Sequence, residues 1–246
     1  MPRNVAPAKK QSKRVQPAPN AVHACASPMS QLSSIATCFG HVVLAAVTGW
    51  SLKYLPGPTG APGGPPAVWL MLWCLLAYSA LGIVRYSHPQ PGKALRLLYD
   101  QAALVARVGP LPLLNAQLYL EPDQTLDPAL PYRTGLGYAL PLTALVAYGV
   151  CNLLRDLNRR HIGEHTATGV LLLNAAGLAL AASSTDNYWA MGLVVSFVSK
   201  HFLLPVLADR YRIPPALLYT YGLCFYEIFA VNAVADVRAA TISVIM

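Results

Sequence analysis

Seven long apolar stretches occupy most of this chain after residue 30. Each stretch is about 18 to 23 residues long, and a helix needs about 20 mainly apolar residues to cross roughly 30 Å of hydrocarbon. A helix is favoured because the backbone polar groups inside a bilayer have to be hydrogen-bonded within the segment itself. The pattern therefore predicts an all-α fold, namely a polytopic membrane bundle of about seven transmembrane helices.

The composition indicates one integral membrane domain. Hydrophobic residues make up 55% of the 246-residue chain and charged residues only 11%, which is too apolar for an ordinary water-soluble domain. Residues 1–30 are basic and interrupted by prolines, so we expect a disordered arm, with a mitochondrial presequence as the alternative. In this interpretation residues 31–236 form the seven-span domain, and residues 237–246 form a short C-terminal tail.

The basic residues between the apolar stretches predict the orientation, because cytoplasmic connections are enriched in Lys and Arg. The amino-terminal arm and every second connection after it contain most of these cations. The remaining connections and the carboxyl-terminal segment contain only Lys53, Arg133 and Arg238. We therefore expect a cytoplasmic amino terminus and a carboxyl terminus on the opposite side. This assignment requires the third stretch, which is interrupted at Gly109-Pro110, to be a full crossing.

The net charge of +8 comes largely from the amino-terminal arm, which has five cations in its first 14 residues. Such an arm beside a membrane is typical of a topology signal or of a contact with anionic lipid. We expect no nucleic-acid partner, because no aromatic and basic recognition module accompanies the charge. The expected partners are the lipid bilayer and another membrane protein, and the expected location is the endomembrane system (ER or Golgi) or the plasma membrane.

Several short motifs follow one another along the apolar stretches. They are His41-Val42 and Thr48-Gly49, Ala77-Tyr78 and Leu81-Gly82, Tyr99-Asp100 and Gly109-Pro110, Leu140-Pro141, Gly177-Leu178-Ala179-Leu180, and Gly192. In this order, over residues 41–192, they resemble the transmembrane protein 187 family. Its members are multi-pass membrane proteins without an established biochemical role. The resemblance implies the same architecture and carries over no catalytic residues.

The third stretch contains a polar stripe. Lys93, Arg96, Asp100 and Arg107 project on one face of a helix with 3.6 residues per turn. This stripe could line a cavity, with Arg96 and Asp100 paired at positions i and i+4. In the alternative, the first half of the stretch lies at the inner headgroup level, Arg96 and Arg107 snorkel, and only residues 103–120 cross.

Two charged residues face each other across the last predicted hairpin. A short loop near Arg212 joins the sixth and seventh stretches, and counting from it puts Glu227 about 4.5 Å deeper along the axis than Lys200. We therefore predict an ion pair between them. With the neighbouring His201 and Tyr226, this pair predicts an intramembrane site for a proton or a polar solute. The alternative is a structural pair that fixes the helix register.

Two further polar features are given structural interpretations. Asn174, in the fifth stretch, is expected to form interhelical hydrogen bonds rather than to bind a ligand. The run from His161 to His165 matches the H-x-x-E-H zinc pattern, but that pattern requires a helix, and Gly163 in an arginine-rich segment favours a solvated loop. We assign no catalytic, cofactor-binding or metal-binding residue, and we expect no cofactor.

The very short connections leave no room for a folded catalytic or receptor domain outside the bilayer. We therefore favour a non-enzymatic interaction or assembly protein, with a small-solute or proton-linked transporter as the alternative and a lipid-modifying enzyme as the lesser alternative. A transporter predicts a water-accessible cavity that reaches Glu227. An assembly protein predicts a stable partner and no such cavity.

Overall fold

The computed structural model describes residues 28–55, 67–88, 90–120, 132–157, 159–185 and 187–245. Within these ranges the regular structure is helical and contains no strand. The helices are α1 (Pro28–Tyr54), α2 (Ala67–Ser87), α3 (Lys93–Val108), α4 (Pro110–Leu120), α5 (Arg133–Asp156), α6 (Arg160–Ser184), α7 (Tyr188–Val198), α8 (Leu204–Tyr211) and α9 (Pro215–Ile245). A π-helical turn, Ser199–Leu203, joins α7 to α8.

Six helical segments in the described part of the chain are long and apolar enough to cross a membrane. They are Leu32–Tyr54, Ala67–Ser87, Arg133–Asp156, His161–Ser184, Tyr188–Tyr211 and Pro215–Asp236. The predicted all-helical membrane bundle is confirmed at this level. The seventh crossing and the orientation of the amino terminus stay predictions.

The third apolar stretch forms two helices rather than one. Helix α3 ends at Val108, and α4 begins at Pro110, at the interruption that the sequence indicates. The break follows from Pro110, which has no N–H to continue the helical hydrogen bonds. Helix α3 is largely exposed along its charged face, whereas nine of the eleven α4 residues are buried. Helix α4 packs against α2, α5 and α6 and so lies inside the bundle.

Apolar side chains lie both inside and outside this bundle. The buried core includes Leu72, Leu114 and Phe197, each no more than 2% exposed. On outward faces, Leu145 is 69% exposed and Phe225 is 62% exposed. A water-soluble protein rarely exposes such large contiguous apolar surfaces, and lipid is the solvent that suits them.

Helix α1 buries an unusually polar face. Thr37, His41, Thr48 and Ser51 are at most 2% exposed, and Leu44 lies among them. Their spacing of three and four residues places them on one side of the helix. Helix α1 packs against α2 and α9. Polar groups therefore line the contact that α1 makes with the rest of the bundle.

The connection between α5 and α6 is shorter than expected. Helix α5 ends at Asp156 and α6 begins at Arg160, so His161 and His165 lie on a helix and the predicted solvated loop is wrong. At the carboxyl end, α9 continues to Ile245, through the segment expected to be a tail. Most of the expected disordered arm, residues 1–27, lies outside the described residues, as do the connections 56–66 and 121–131.

Candidate functional site

A cavity of about 580 Å³ lies between α2, α3, the π-helical turn, α8 and the start of α9. It is near the end of the bundle where α2 leads into α3 and α8 leads into α9. Most of its wall consists of ionisable and aromatic side chains. They include Tyr78, Arg85, Tyr86, Tyr99, Asp100, Arg107, Lys200, His201, Phe202 and Tyr219. We call this space the basic cavity.

Lys200 is the most buried cation on this wall, with 4% of its surface exposed. Its ammonium nitrogen lies 4.7 Å from the ring centre of Tyr226, 5.1 Å from that of Tyr219 and 5.6 Å from that of Phe197. These distances suit cation–π attraction. Among the described residues, Lys200 has no hydrogen bond and no ion pair. A buried ammonium without an anion is costly inside a membrane.

The π-helical turn explains where Lys200 points. Pro205 lies at the start of α8, and a proline ring clashes with the carbonyl four residues earlier, which belongs to His201. A π-turn relieves such a clash by accommodating one extra residue. The extra residue rotates the segment relative to a regular α-helix. The side chain of Lys200 then packs against Gly222 of α9, where an added Cβ would lie 2.9 Å from the lysine Cγ.

The predicted ion pair between Lys200 and Glu227 is wrong. No nitrogen–oxygen pair of these two described residues lies within 4.0 Å. Instead, Thr48 donates its Oγ1 hydrogen to Glu227 Oε2 at 2.8 Å, which joins α1 to α9. Glu227 is fully buried and does not line the basic cavity. The prediction failed because it counted a regular helix through the segment that forms the π-turn.

The predicted pair between Arg96 and Asp100 is also wrong. Asp100 accepts a hydrogen bond of 2.7 Å from Arg85 Nη1, and this contact is the ion pair found among the described residues. Arg96 is exposed and donates from Nε to the carbonyl of Pro91 at 3.0 Å. The short connection between α2 and α3 brings Arg85 beside Asp100. Arg96 therefore lies away from the basic cavity.

Arg107 lines the basic cavity and also a neighbouring cleft of about 340 Å³ between α3, α5 and α6. This cleft shares Asp100 and Ala103 with the cavity, and Arg155 and Glu164 lie on its far wall. Within the described part of the chain, Arg107 has no hydrogen bond and no ion pair. The cavity thus contains two cations, Arg107 and Lys200, that form no ion pair with a described carboxylate, although Asp100 and Glu164 line the same cleft as Arg107.

A network of hydrogen bonds joins two tyrosines of the cavity wall to His41 of α1. Tyr99 Oη is 3.2 Å from His41 Nε2 and 3.2 Å from Tyr78 Oη. His41 is fully buried, and an added Cβ at Gly82 would lie 2.4 Å from its ring. The glycine therefore permits α1 and α2 to approach closely around the histidine. This network was not predicted from the sequence, although the spacing of polar residues on α1 indicates a buried polar face.

The structure divides the predicted site residues into two groups. Lys200, His201 and Asp100 line the basic cavity, and Tyr226 contacts the lysine through its ring. Asn174 lies elsewhere and joins three helices. Its backbone oxygen accepts from Asn115 Nδ2 of α4 at 2.8 Å, and its own Nδ2 donates to Thr143 Oγ1 of α5 at 3.0 Å.

The two histidines of the H-x-x-E-H segment are close together on the first turns of α6. Their Nε2 atoms, in His161 and His165, are 3.0 Å apart. Across the described ranges, no group of three His, Cys, Asp or Glu side chains is placed to hold a metal ion. A pair of imidazoles alone is an incomplete ligand set for zinc.

Comparisons with protein-family models, with curated proteins and with solved structures found no match for this chain. The resemblance to the transmembrane protein 187 family therefore stays a prediction that rests on the motifs quoted above. The geometry of the basic cavity is the remaining basis for a functional proposal.

Proposed function

We propose that this chain is a multi-pass membrane protein that binds a small polar solute inside its helix bundle, as a transporter or carrier does. The observation that supports the proposal is the buried, unneutralised ammonium of Lys200 on the wall of a 580 Å³ cavity. Cavities of about 300 to 1,000 Å³ are the usual size for small-molecule sites. The role is one of binding, and no reaction is proposed.

Burial of a charge has to be offset by something that the protein gains. Placing a lysine at the centre of a transmembrane helix costs about 2.5 to 3.5 kcal/mol on insertion scales. The structural explanation, an ion pair that fixes the helix register, does not apply because Glu227 is bonded to Thr48 instead. A solute that enters the basic cavity and contacts Lys200 would offset the cost.

The cavity also helps to choose between two functions that the sequence left open, an assembly protein and a transporter. An assembly protein was expected to have a stable partner and no cavity, so the cavity favours the solute-binding alternative over that role. A transporter was expected to have a water-accessible cavity that reaches Glu227. The basic cavity does not include Glu227, so this expectation for a transporter is not met, and we propose solute binding at Lys200 without a role for the Glu227 carboxyl.

The proposed topology places the cavity mouth toward the cytoplasm. The mouth lies near the α2–α3 and α8–α9 connections, which belong to the basic set of connections. With seven crossings and a cytoplasmic amino terminus, these connections face the cytoplasm. The proposed location in the endomembrane system or the plasma membrane rests on the same reasoning.

Water access to the cavity is the property to test first. The experiment introduces Ala103→Cys, which lines both the cavity and the adjoining cleft, into a chain whose five cysteines are replaced by Ser. A membrane-impermeant thiol reagent is then added to vesicles from either side. The matched control is Ala230→Cys, at a core position of α9 that is fully buried.

We expect the reagent to modify Ala103→Cys from the cytoplasmic side and to leave Ala230→Cys unmodified. Equal and negligible modification of both variants from either side would contradict the proposed function. Modification of Ala103→Cys only from the opposite side would support the cavity and overturn the proposed orientation.

A further inference from the structure

We infer that the ligand of the basic cavity is an organic anion, whose carboxylate or phosphate group binds between Arg107 and Lys200. This inference rests on the proposed function and names the class of solute. It follows from the charged groups and the hydrogen-bonding groups on the cavity wall.

The fixed charges on the wall do not balance. Three cations, Arg85, Arg107 and Lys200, face one carboxylate, Asp100. That carboxylate is already bound by Arg85 at 2.7 Å. Arg107 and Lys200 form no ion pair with any described residue. Lys200 is only 4% exposed, whereas Arg107 also borders the cleft that contains Glu164. An entering anion would gain the attraction of both, whereas an entering cation would be repelled by both.

Three tyrosine hydroxyls on the wall have hydrogen-bond partners within the protein. Tyr219 donates its hydroxyl to the carbonyl of Ala106 at 3.2 Å. Tyr99 and Tyr78 bond to each other, and Tyr99 also bonds to His41. Among the described residues no hydrogen bond or ion pair of Lys200 is found, so the lysine ammonium keeps its donors for a ligand.

The remaining surface of the cavity favours an organic anion over a bare inorganic one. Tyr86, Phe202, Leu204, Pro205 and Tyr219 contribute apolar or aromatic wall around the charged groups. A cavity of about 580 Å³ is far larger than a phosphate ion requires. An anionic group attached to an aromatic or aliphatic body would fill both the charged part and the apolar part.

A thermal-unfolding experiment on the purified full chain in lipid nanodiscs tests the class of ligand. Probes of similar size and different charge are compared: benzoate and phenyl phosphate as anions, benzamide as a neutral isostere, and benzylamine as a cation. A ligand that binds the folded state raises the unfolding midpoint in proportion to its concentration and affinity. Inorganic phosphate and dihexanoyl phosphatidic acid are added to identify the source of the anionic group.

We expect benzoate or phenyl phosphate to raise the midpoint at concentrations where benzamide and benzylamine do not. A larger shift with dihexanoyl phosphatidic acid than with the aromatic anions would identify a lipid headgroup as the source. Larger shifts with the aromatic anions would identify a free organic anion. Either result supports the inference, because both ligands have the same anionic chemistry.

Variants identify the two cations that bind the anion. Lys200→Met and Arg107→Gln should each weaken the binding of the active anion by about tenfold or more, since each removes a hydrogen bond to a charged group. Arg96→Gln is the matched control, because Arg96 is an exposed cation of α3 that does not line the cavity. It should leave the affinity unchanged.

Failure of the inference and failure of the proposed function give different results. If benzamide or benzylamine raises the midpoint as much as benzoate, the cavity binds solutes but not anions in particular, and only the inference is overturned. Equal weakening by Arg96→Gln and Lys200→Met would also overturn it, since binding would then reflect general surface charge. If no probe shifts the midpoint and Ala103→Cys is unreactive, both fail together.

Discussion

Lys200 and Glu227 are both buried ionisable residues on adjacent helical segments, yet their surroundings differ. Lys200 lies against three aromatic rings and lines a cavity. Glu227 is enclosed between α1 and α9, where Thr48 donates a hydrogen bond to it. The comparison indicates that burial of a charge inside a membrane has two explanations. One is a bond that holds helices together, and the other is an open site.

The two environments predict opposite responses to substitution. Where a buried polar group is bonded to another helix, its removal should destabilise the bundle. Where a buried charge has no protein partner, its replacement by an apolar side chain of similar volume should be neutral or stabilising. Substitutions in each environment therefore test whether the two residues differ in this way.

The largest effect is expected at Glu227. Replacing it with Ala removes the bond to Thr48 and leaves a cavity between α1 and α9, which should lower the free energy of unfolding by about 2 to 4 kcal/mol. Glu227→Gln retains the volume and can bond to the threonine hydroxyl, so its loss should be below about 1 kcal/mol. Chemical unfolding in bicelles measures both. An alanine variant as stable as the parent would contradict the structural role of Glu227.

The close contact between α1 and α2 should give the next largest effect. Gly82→Ala places a methyl group where the His41 ring lies, so we expect a loss of about 1 to 3 kcal/mol from overpacking. Gly49→Ala is the control, because nothing lies within 4 Å of an added Cβ there. It should be neutral or slightly stabilising, since alanine favours a helix. Equal losses for the two variants would contradict the packing around His41.

Lys200 should respond in the opposite direction. Lys200→Met keeps a similar volume against Gly222 and removes the buried charge, so we expect the ligand-free protein to gain about 1 kcal/mol of stability. The same unfolding measurement applies, in the absence of added anions. A loss as large as that of Glu227→Ala would mean that Lys200 has a structural partner, and the comparison would fail.

The smallest effect is expected at the rim of the basic cavity. Arg85 and Asp100 form an ion pair whose side chains are 24% and 55% exposed. Because solvent screens such pairs, Arg85→Gln should cost less than about 1 kcal/mol of stability. Arg96→Gln, which removes an exposed cation that has no ion pair among the described residues, provides the baseline. A cost for Arg85→Gln above 2 kcal/mol would show that the rim is more enclosed than the structure indicates.

The membrane bundle could be predicted from the sequence because its signal is strong and local. Apolar segments of spanning length are evident without any tertiary information. The break at Gly109-Pro110 is also local, since proline ends the hydrogen-bonding pattern. The number of crossings is harder, because the charged α3 and the short α4 satisfy the length rule only when they are added together.

The site could be predicted only in part. Lys200, His201 and Asp100 were selected because charged groups are rare in apolar segments, and they do line one cavity. The ion pairs predicted for Lys200 and Asp100 were wrong for geometric reasons. The π-turn before Pro205 changed the direction of Lys200, and the α2–α3 connection brought Arg85 rather than Arg96 to Asp100. A periodicity argument that assumes regular helices cannot include either effect.

We propose that Lys200 serves the basic cavity and is independent of Glu227. A double-mutant cycle measures this most directly, with the free energy of unfolding determined for Lys200→Met, Glu227→Gln and the double variant. We predict additive effects, with a coupling energy below about 0.5 kcal/mol, because the two side chains form no ion pair. A coupling energy above about 1 kcal/mol would show that the two residues interact and would contradict the account.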